Sequence, residues 1–264
     1  MGIVNITPDS FSDGGRYLAP EDAVEQGKRL VAEGADILDL GAESTRPGAE
    51  PVPAQEEIRR LKPVVEALRR QVPVPLSIDT TKARVAREML DLGADIINDI
   101  SGLRFDPELA PLVAERDCPV VIMHIAGTPE NMQENPHYTD VIEDIRQYFS
   151  ARIAFARNAG IGEHQIILDP GIGFGKTVEH NYRIVGALDR FISLGYPLLL
   201  GASRKSFIGK TLDLPVDERL EGSLAAAVLG VWGGANIIRV HDVQATVRAV
   251  RLTDAIRRTL ATED

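Results

Sequence analysis

Eight short apolar runs recur along the chain: GIVNI, DILDL, PLSID, DIIND, PVVIMH, QIILD, PLLLG and NIIRV. Each is too short for a helix and reads as a strand buried on both faces. Between them lie segments of helical periodicity, such as EDAVEQGKRLVAEG, AQEEIRRLKPVVEALRRQ, KARVAREMLDLG and EGSLAAAVLGVWGG. Short apolar strands alternating with amphipathic helices dictate parallel βαβ units. An internal echo repeats the joint between units: GADILD at Gly34, GADIIN at Gly93 and GANIIR at Gly234 each place a glycine where a helix can end in the left-handed conformation. The expected fold class is therefore α/β, with eight units closing into a (βα)8 TIM barrel. An open doubly wound sheet is the alternative, but no Gly-x-Gly-x-x-Gly follows the first strand. No linker, low-complexity tract or charge block divides residues 1–264, which read as a single domain.

The composition, 44% apolar and 26% charged, is that of an ordinary soluble globule. A net charge of −10 argues against nucleic acid as a partner and requires any anionic substrate to meet a local basic cluster or a metal. The one cysteine, Cys118, excludes an internal disulfide and a cysteine-based zinc site, and reads as a buried structural thiol. No apolar run approaches the ~18 residues of a membrane span, and no signal peptide precedes the first strand, so a cytoplasmic enzyme is expected.

In such a barrel the chemistry gathers at the C-terminal ends of the strands. There the sequence offers, in order, Asn5 with the loop TPDSFSDGG; Glu43, Thr45, Arg46 and Pro47; Asp79 and Thr80; Asn98 and Asp99; Met123 and His124; Asp169, Phe174 and Lys176; Ser203, Arg204, Lys205 and Ser206; and Arg239, His241 and Asp242. Any one of these alone reads as a helix cap or a satisfied structural group. Independent caps would not put a carboxylate, amide or cation at the same end of nearly every strand. GFGKT invites a phosphate-loop reading, which fails because Pro170 stands where that motif needs glycine. RVHD has no second histidine at zinc-ligand spacing.

Asp79, Asn98 and Asp169 suit a flat heterocycle bearing several N–H donors and a carbonyl, with Lys205 toward the carbonyl. Arg239 and His241, two residues apart, share a face; with Asn5 and a hard cation such as Mg²⁺ they suit a pyrophosphate. No serine or cysteine sits in a base-paired triad, so the chemistry expected is positioning and leaving-group stabilisation.

The segments NITPDSFSDGG, GAESTRPGA, SIDT, INDISG, DPGIGFGKT, GASRKSFIG and RVHDV resemble, in order and over nearly the whole chain, the signature segments of the dihydropteroate synthase family. The resemblance implies a (βα)8 barrel of folate biosynthesis that joins 6-hydroxymethyl-7,8-dihydropterin pyrophosphate to 4-aminobenzoate and releases pyrophosphate. It implies pterin binding by Asp79, Asn98, Asp169 and Lys205, with Met123 packed against the ring. Asn5, Arg239 and His241 would hold pyrophosphate and Mg²⁺, with Asn5 the protein's own metal ligand. Thr45, Arg46, Pro47, Phe174, Lys205 and Ser206 would shape the aminobenzoate site, and Phe11 and Asp13, with Arg46, would lie on two loops that close over it. A homodimer and sensitivity to sulfonamides belong to the same implication.

Two departures stand out. Members of the family usually carry a segment before the first strand, often a hairpin closing the barrel bottom; here Met1 lies in the strand itself, so that segment is expected to be absent, with consequences for stability more than for catalysis. Ile125 stands where a methionine is more usual, a conservative change. A methyltetrahydrofolate methyltransferase would share the Asp/Asn pterin face without needing STRPGA, SRKS or RVHD. A non-catalytic pterin-binding subunit would have lost Arg239, Lys205 or the loop motifs, and all are present.

Overall fold

The computed structural model describes residues 1–6, 20–46 and 48–261. All eight apolar runs form strands: β1 (Gly2–Asn5), β2 (Leu38–Gly41), β3 (Leu76–Asp79), β4 (Ile96–Asp99), β5 (Val120–Met123), β6 (Ile166–Asp169), β7 (Leu199–Leu200) and β8 (Ile237–Ile238). β1 to β6 pair in parallel in chain order, and β7 pairs with β8. Single parallel bridges, Leu168 with Leu198 and Gly2 with Val240, join the two sheets on both sides. The ring is therefore closed, which leaves no sheet edge. The last two strands are shorter than their apolar runs, yet the ladder continues past Ile238: Arg239 N–H donates to Leu200 O and Val240 N–H to Met1 O, both at 3.0 Å.

The helical joints behave as the repeated GA motif requires. Gly34, Gly93 and Gly234 have φ of +103°, +95° and +94°. At the first of them, Ala35 N–H donates to Leu30 O at 2.9 Å and Gly34 N–H to Val31 O at 3.0 Å, closing the helix end. Starts are capped where the sequence permits: the Asp140 carboxylate accepts from Ile142 and Glu143 N–H ahead of the helix Val141–Asn158.

Period-two alternation along each strand decides what faces the lumen. Val4, Leu38, Leu40, Leu76, Ile78, Ile97, Val120, Ile122, Ile166, Leu168 and Leu200 belong to the large core between strands and helices. The residues between them point inward. Low in the barrel these are apolar, and Val121, Ile167 and Leu199 form a separate buried plug with Met1 and Ile237 packed on it. One step higher they are Asn5, Asp79, Asn98, Met123, Asp169 and Arg239, with Asp39 and Ser77 between. A dry floor thus carries a polar ring at the C-terminal ends of the strands.

Candidate active site

The centre of the ring is Asp39, which the strand-end reading passed over. It is fully buried in the middle of β2 and gathers three donors: Ser77 Oγ at 2.6 Å, Asn98 Nδ2 at 3.1 Å and Arg239 Nε at 2.6 Å. Arg239 also donates through Nη2 to Asp79 Oδ2 at 2.9 Å, so one guanidinium spans two carboxylates across the lumen. Burial lifts the Asp79 carboxyl to about 7 against the pull of Arg239, and the nearby Asp39 adds to the lift. Burial would lower the Arg239 guanidinium, yet Asp39 and Asp79 together hold it above its ordinary value.

Asp169 closes the other side. Its Oδ1 accepts from Gly171 N–H at 2.7 Å, and burial raises its carboxyl against the nearby Lys205 ammonium. Lys205 donates to Ile172 O, lies 4.5 Å from the Phe174 ring centroid, and is brought down to about 8 by burial, with Asp169 opposing the shift. Phe174 packs in turn on a small buried cluster of Ile100, Met123, Ile125 and Met132. The turn that carries it needs its glycine: Gly171 has φ +68°, and a Cβ there would lie 2.0 Å from His124 O. Ile125 is buried in that cluster, as suits an apolar replacement for methionine.

His241 takes a different partner from Arg239. Its Nδ1 lies 3.0 Å from Ser203 Oγ, its N–H donates to the same oxygen at 3.2 Å, and burial brings its ring down to about 4. Ser206 is exposed at the start of the helix Ser206–Leu212; Thr45 is half-buried and Arg46 exposed. Phe11, Asp13 and Pro47 lie outside the described residues.

Four strand-end residues, Asp99, His124, Lys176 and Glu43, make structural contacts. Asp99 accepts from the N–H groups of Ser101 and Leu103 and from Ser101 Oγ. Lys176 is buried with its Nζ 2.9 Å from His124 Nδ1 and 3.0 Å from Phe174 O, and burial brings both ionisable groups far down, His124 to about 2. Beneath the β2 loop, Lys82 binds Glu43 at 2.6 Å and the wholly buried Glu57 at 2.8 Å, while the second oxygen of Glu43 accepts from Val52 N–H at 2.7 Å. Glu43 thereby ties the two feet of the loop that bears Thr45 and Arg46.

Among the described residues no three His, Cys, Asp or Glu side chains converge as a metal cage. Mg²⁺ usually keeps several waters and is bound by substrate phosphates beside one or two carboxylates. Asn5, on the strand next to β8, would supply one neutral amide oxygen, leaving waters and substrate phosphates to fill the other positions. A cleft of about 480 Å³ opens at the opposite end of the barrel, lined by Met1, Ile37, Asn236 and Val243, and has none of the ring's convergent groups.

Comparison with known proteins points to one family. The profile of the family described as pterin binding enzyme matches residues 1–241. A dihydropteroate synthase of Synechocystis is 49% identical over 98% of this chain and 90% of its own length. The Yersinia pestis dihydropteroate synthase, solved with a sulfonamide drug, superposes with a TM-score of 0.94 at 45% identity, covering 97% of this chain and 93% of that one. The Xanthomonas albilineans dihydropteroate synthase, solved with 4-aminobenzoic acid, gives 0.91 at 46% identity, covering 97% and 92%. On the fold, the ring of lumen-facing groups and these full-length likenesses together, the chain belongs to the pterin-binding enzyme family, on its dihydropteroate synthase branch.

Proposed function

We propose that this enzyme condenses 6-hydroxymethyl-7,8-dihydropterin pyrophosphate with 4-aminobenzoate and releases pyrophosphate by a dissociative displacement. The observation that carries this reading is the placement of Asp79, Asn98 and Asp169 around one lumen with Lys205 and Arg239 at its rim. The carboxylates and amide accept from the N–H groups of the pterin ring, and Lys205 donates to its carbonyl. Met123 packs against the ring.

Asp39 holds Arg239 by Nε, so the guanidinium stays anchored while its Nη2 exchanges Asp79 for the entering pyrophosphate. Asp79 is then released to the pterin. The C–O bond breaks with its electron pair going to pyrophosphate, whose charge Arg239 and His241 stabilise. The ring nitrogens share the charge of the methylene cation until the amine nitrogen of aminobenzoate attacks it and loses a proton. The arylamine is already unprotonated near neutrality, so no strong general base is required. Thr45, Pro47 and Phe174 flank the aminobenzoate, Ser206 meets its carboxylate, and Phe11, Asp13 and Arg46 close over the site to keep water from the cation. Asn5 would hold Mg²⁺, which would help neutralise the leaving pyrophosphate.

The same reading takes the protein to be a single-domain homodimer of the cytoplasm. Among the described residues no helix is long and apolar enough to cross a membrane. Leu229, Trp232, Leu252, Ile256 and Leu260 are about half exposed on the contacting helices Leu220–Trp232 and Val243–Ala261, an apolar face suited to a second copy.

The test is pyrophosphate release from dihydropterin pyrophosphate and Mg²⁺, with and without 4-aminobenzoate, with the pterin product identified. Mg²⁺-dependent release with dihydropteroate formed is expected. Binding of pterin without release would make the chain a non-catalytic relative. Arg239→Ala should slow release even without aminobenzoate, and unchanged release would refute its role.

A further inference from the structure

The loops after β7 and β8 are laced together outside the ring. Arg204 occupies the left-handed region at φ +56°, a strained position for a residue with a side chain. Its backbone is gripped at both ends: its N–H donates to Ser223 Oγ at 2.9 Å, and its carbonyl accepts from Arg219 Nη1 at 3.0 Å. Its guanidinium forks onto the Asp242 carboxylate, Nε to Oδ2 at 2.9 Å and Nη2 to Oδ1 at 2.5 Å. The adjacent Ser203 makes the two contacts to His241 described above. Residues 203 and 204 thus pair, rung by rung, with 241 and 242.

A partly exposed ion pair adds little to stability, the two side chains here being 35% and 21% exposed. A planar two-point fork does fix geometry. What it joins is telling: Lys205 and Ser206 follow directly on one side, and His241 and Arg239 lie directly before it on the other. We propose that the Arg204–Asp242 fork is a positioning device that sets Lys205 in register with Arg239 and His241, so that the pterin and pyrophosphate ends of one substrate are gripped at once. This rests on the proposed function above.

Steady-state kinetics of the full chain test it, with thermal unfolding as a control for folding. The variants are Arg204→Gly, Arg204→Ala, Asp242→Asn and the double Arg204→Ala/Asp242→Asn. Glycine keeps the left-handed turn without strain while removing the fork. The expected result is a fall in kcat of about tenfold or more in both Arg204→Gly and Asp242→Asn, because misalignment acts on the transition state. The KM for 4-aminobenzoate should stay within about threefold, and the double variant should be no worse than the poorer single one. Wild-type kcat in Arg204→Gly, or losses that multiply in the double variant, would overturn the proposal. Should Arg204→Gly fail to fold, Asp242→Asn decides alone, and an unchanged kcat there overturns it equally. Normal turnover by the parent with unaffected variants refutes the fork and spares the synthase reading; no turnover by the parent refutes both.

Discussion

Replacing Asp39 with alanine should strand the charge of Arg239. Removing one partner of a buried ion pair typically costs about 3–5 kcal/mol, mostly as the penalty on the charge left behind. Here Arg239 keeps Asp79 at 2.9 Å and is 19% exposed, which favours the low end. Ser77 and Asn98, both buried, lose an acceptor as well, each a contribution of about 1 kcal/mol. A net loss near 5 kcal/mol follows, or roughly 10–20 °C in midpoint for a chain of this size. Thermal and urea unfolding would measure it against Asp39→Asn, which keeps the shape and one acceptor. The decisive comparison is Asp39→Ala/Arg239→Met. If the stranded cation is the cause, deleting it recovers about 1 kcal/mol or more of the loss. A double variant whose penalties simply add would show that Asp39 acts by packing, and the argument from charge would be wrong.

Other consequences are as testable. With Asp79 lifted to about 7 and Lys205 lowered to about 8, kcat/KM should trace a narrow bell, rising as Asp79 ionises and falling as Lys205 loses its proton; Lys205→Arg should extend the alkaline limb. Folded Asp79 keeps its proton where the unfolded carboxyl has lost it, so its contribution to stability declines as pH rises from the ordinary carboxylate range to about 7, and Asp79→Asn should remove that slope. Gly171→Ala should cost about 2–4 kcal/mol, because its Cβ would meet His124 O at 2.0 Å. Gly48→Ala, also left-handed but with nothing among the described residues within 4 Å, should cost only about 1 kcal/mol; equal losses in thermal unfolding would mean the clash is relieved cheaply. For the homodimer proposed above, Leu252→Glu should shift the sedimenting species to monomer at micromolar concentration; a wild-type protein already monomeric would refute the dimer, and an unchanged dimer would place the contact elsewhere.

The barrel was legible because strands buried on both faces leave unbroken apolar runs, and the repeated GA joints mark where each helix hands over to the next strand. The ring was legible wherever its members stand at the last position of a strand, as Asn5, Asp79 and Asp169 do. Asp39 escaped because it lies inside DILDL, two residues short of the end of β2. The signal was nevertheless present: a carboxylate between Leu38 and Leu40 must face opposite to them, into the lumen, and a buried charge demands a partner. The role of Arg239 as a bridge between two carboxylates, and the pairing of Lys176 with His124 across 52 residues, depend on the curvature that brings distant strands together. No local pattern encodes that. Asp99 and Lys176 look like site residues in the sequence because a strand end serves loop anchoring as readily as chemistry.

The bonds from Arg239 to Asp39 and Asp79 join residues 200 and 160 positions apart. During synthesis the earlier strands emerge with two carboxylates aimed at one lumen and no cation between them. Contacts of such long range form slowly, and like charges facing each other across a drying interior resist closure. The last strand brings both the missing rung of the ring and the charge that lets it close. On the proposed reading, the grip on both ends of the substrate is therefore complete only once β8 has closed the ring between β7 and β1.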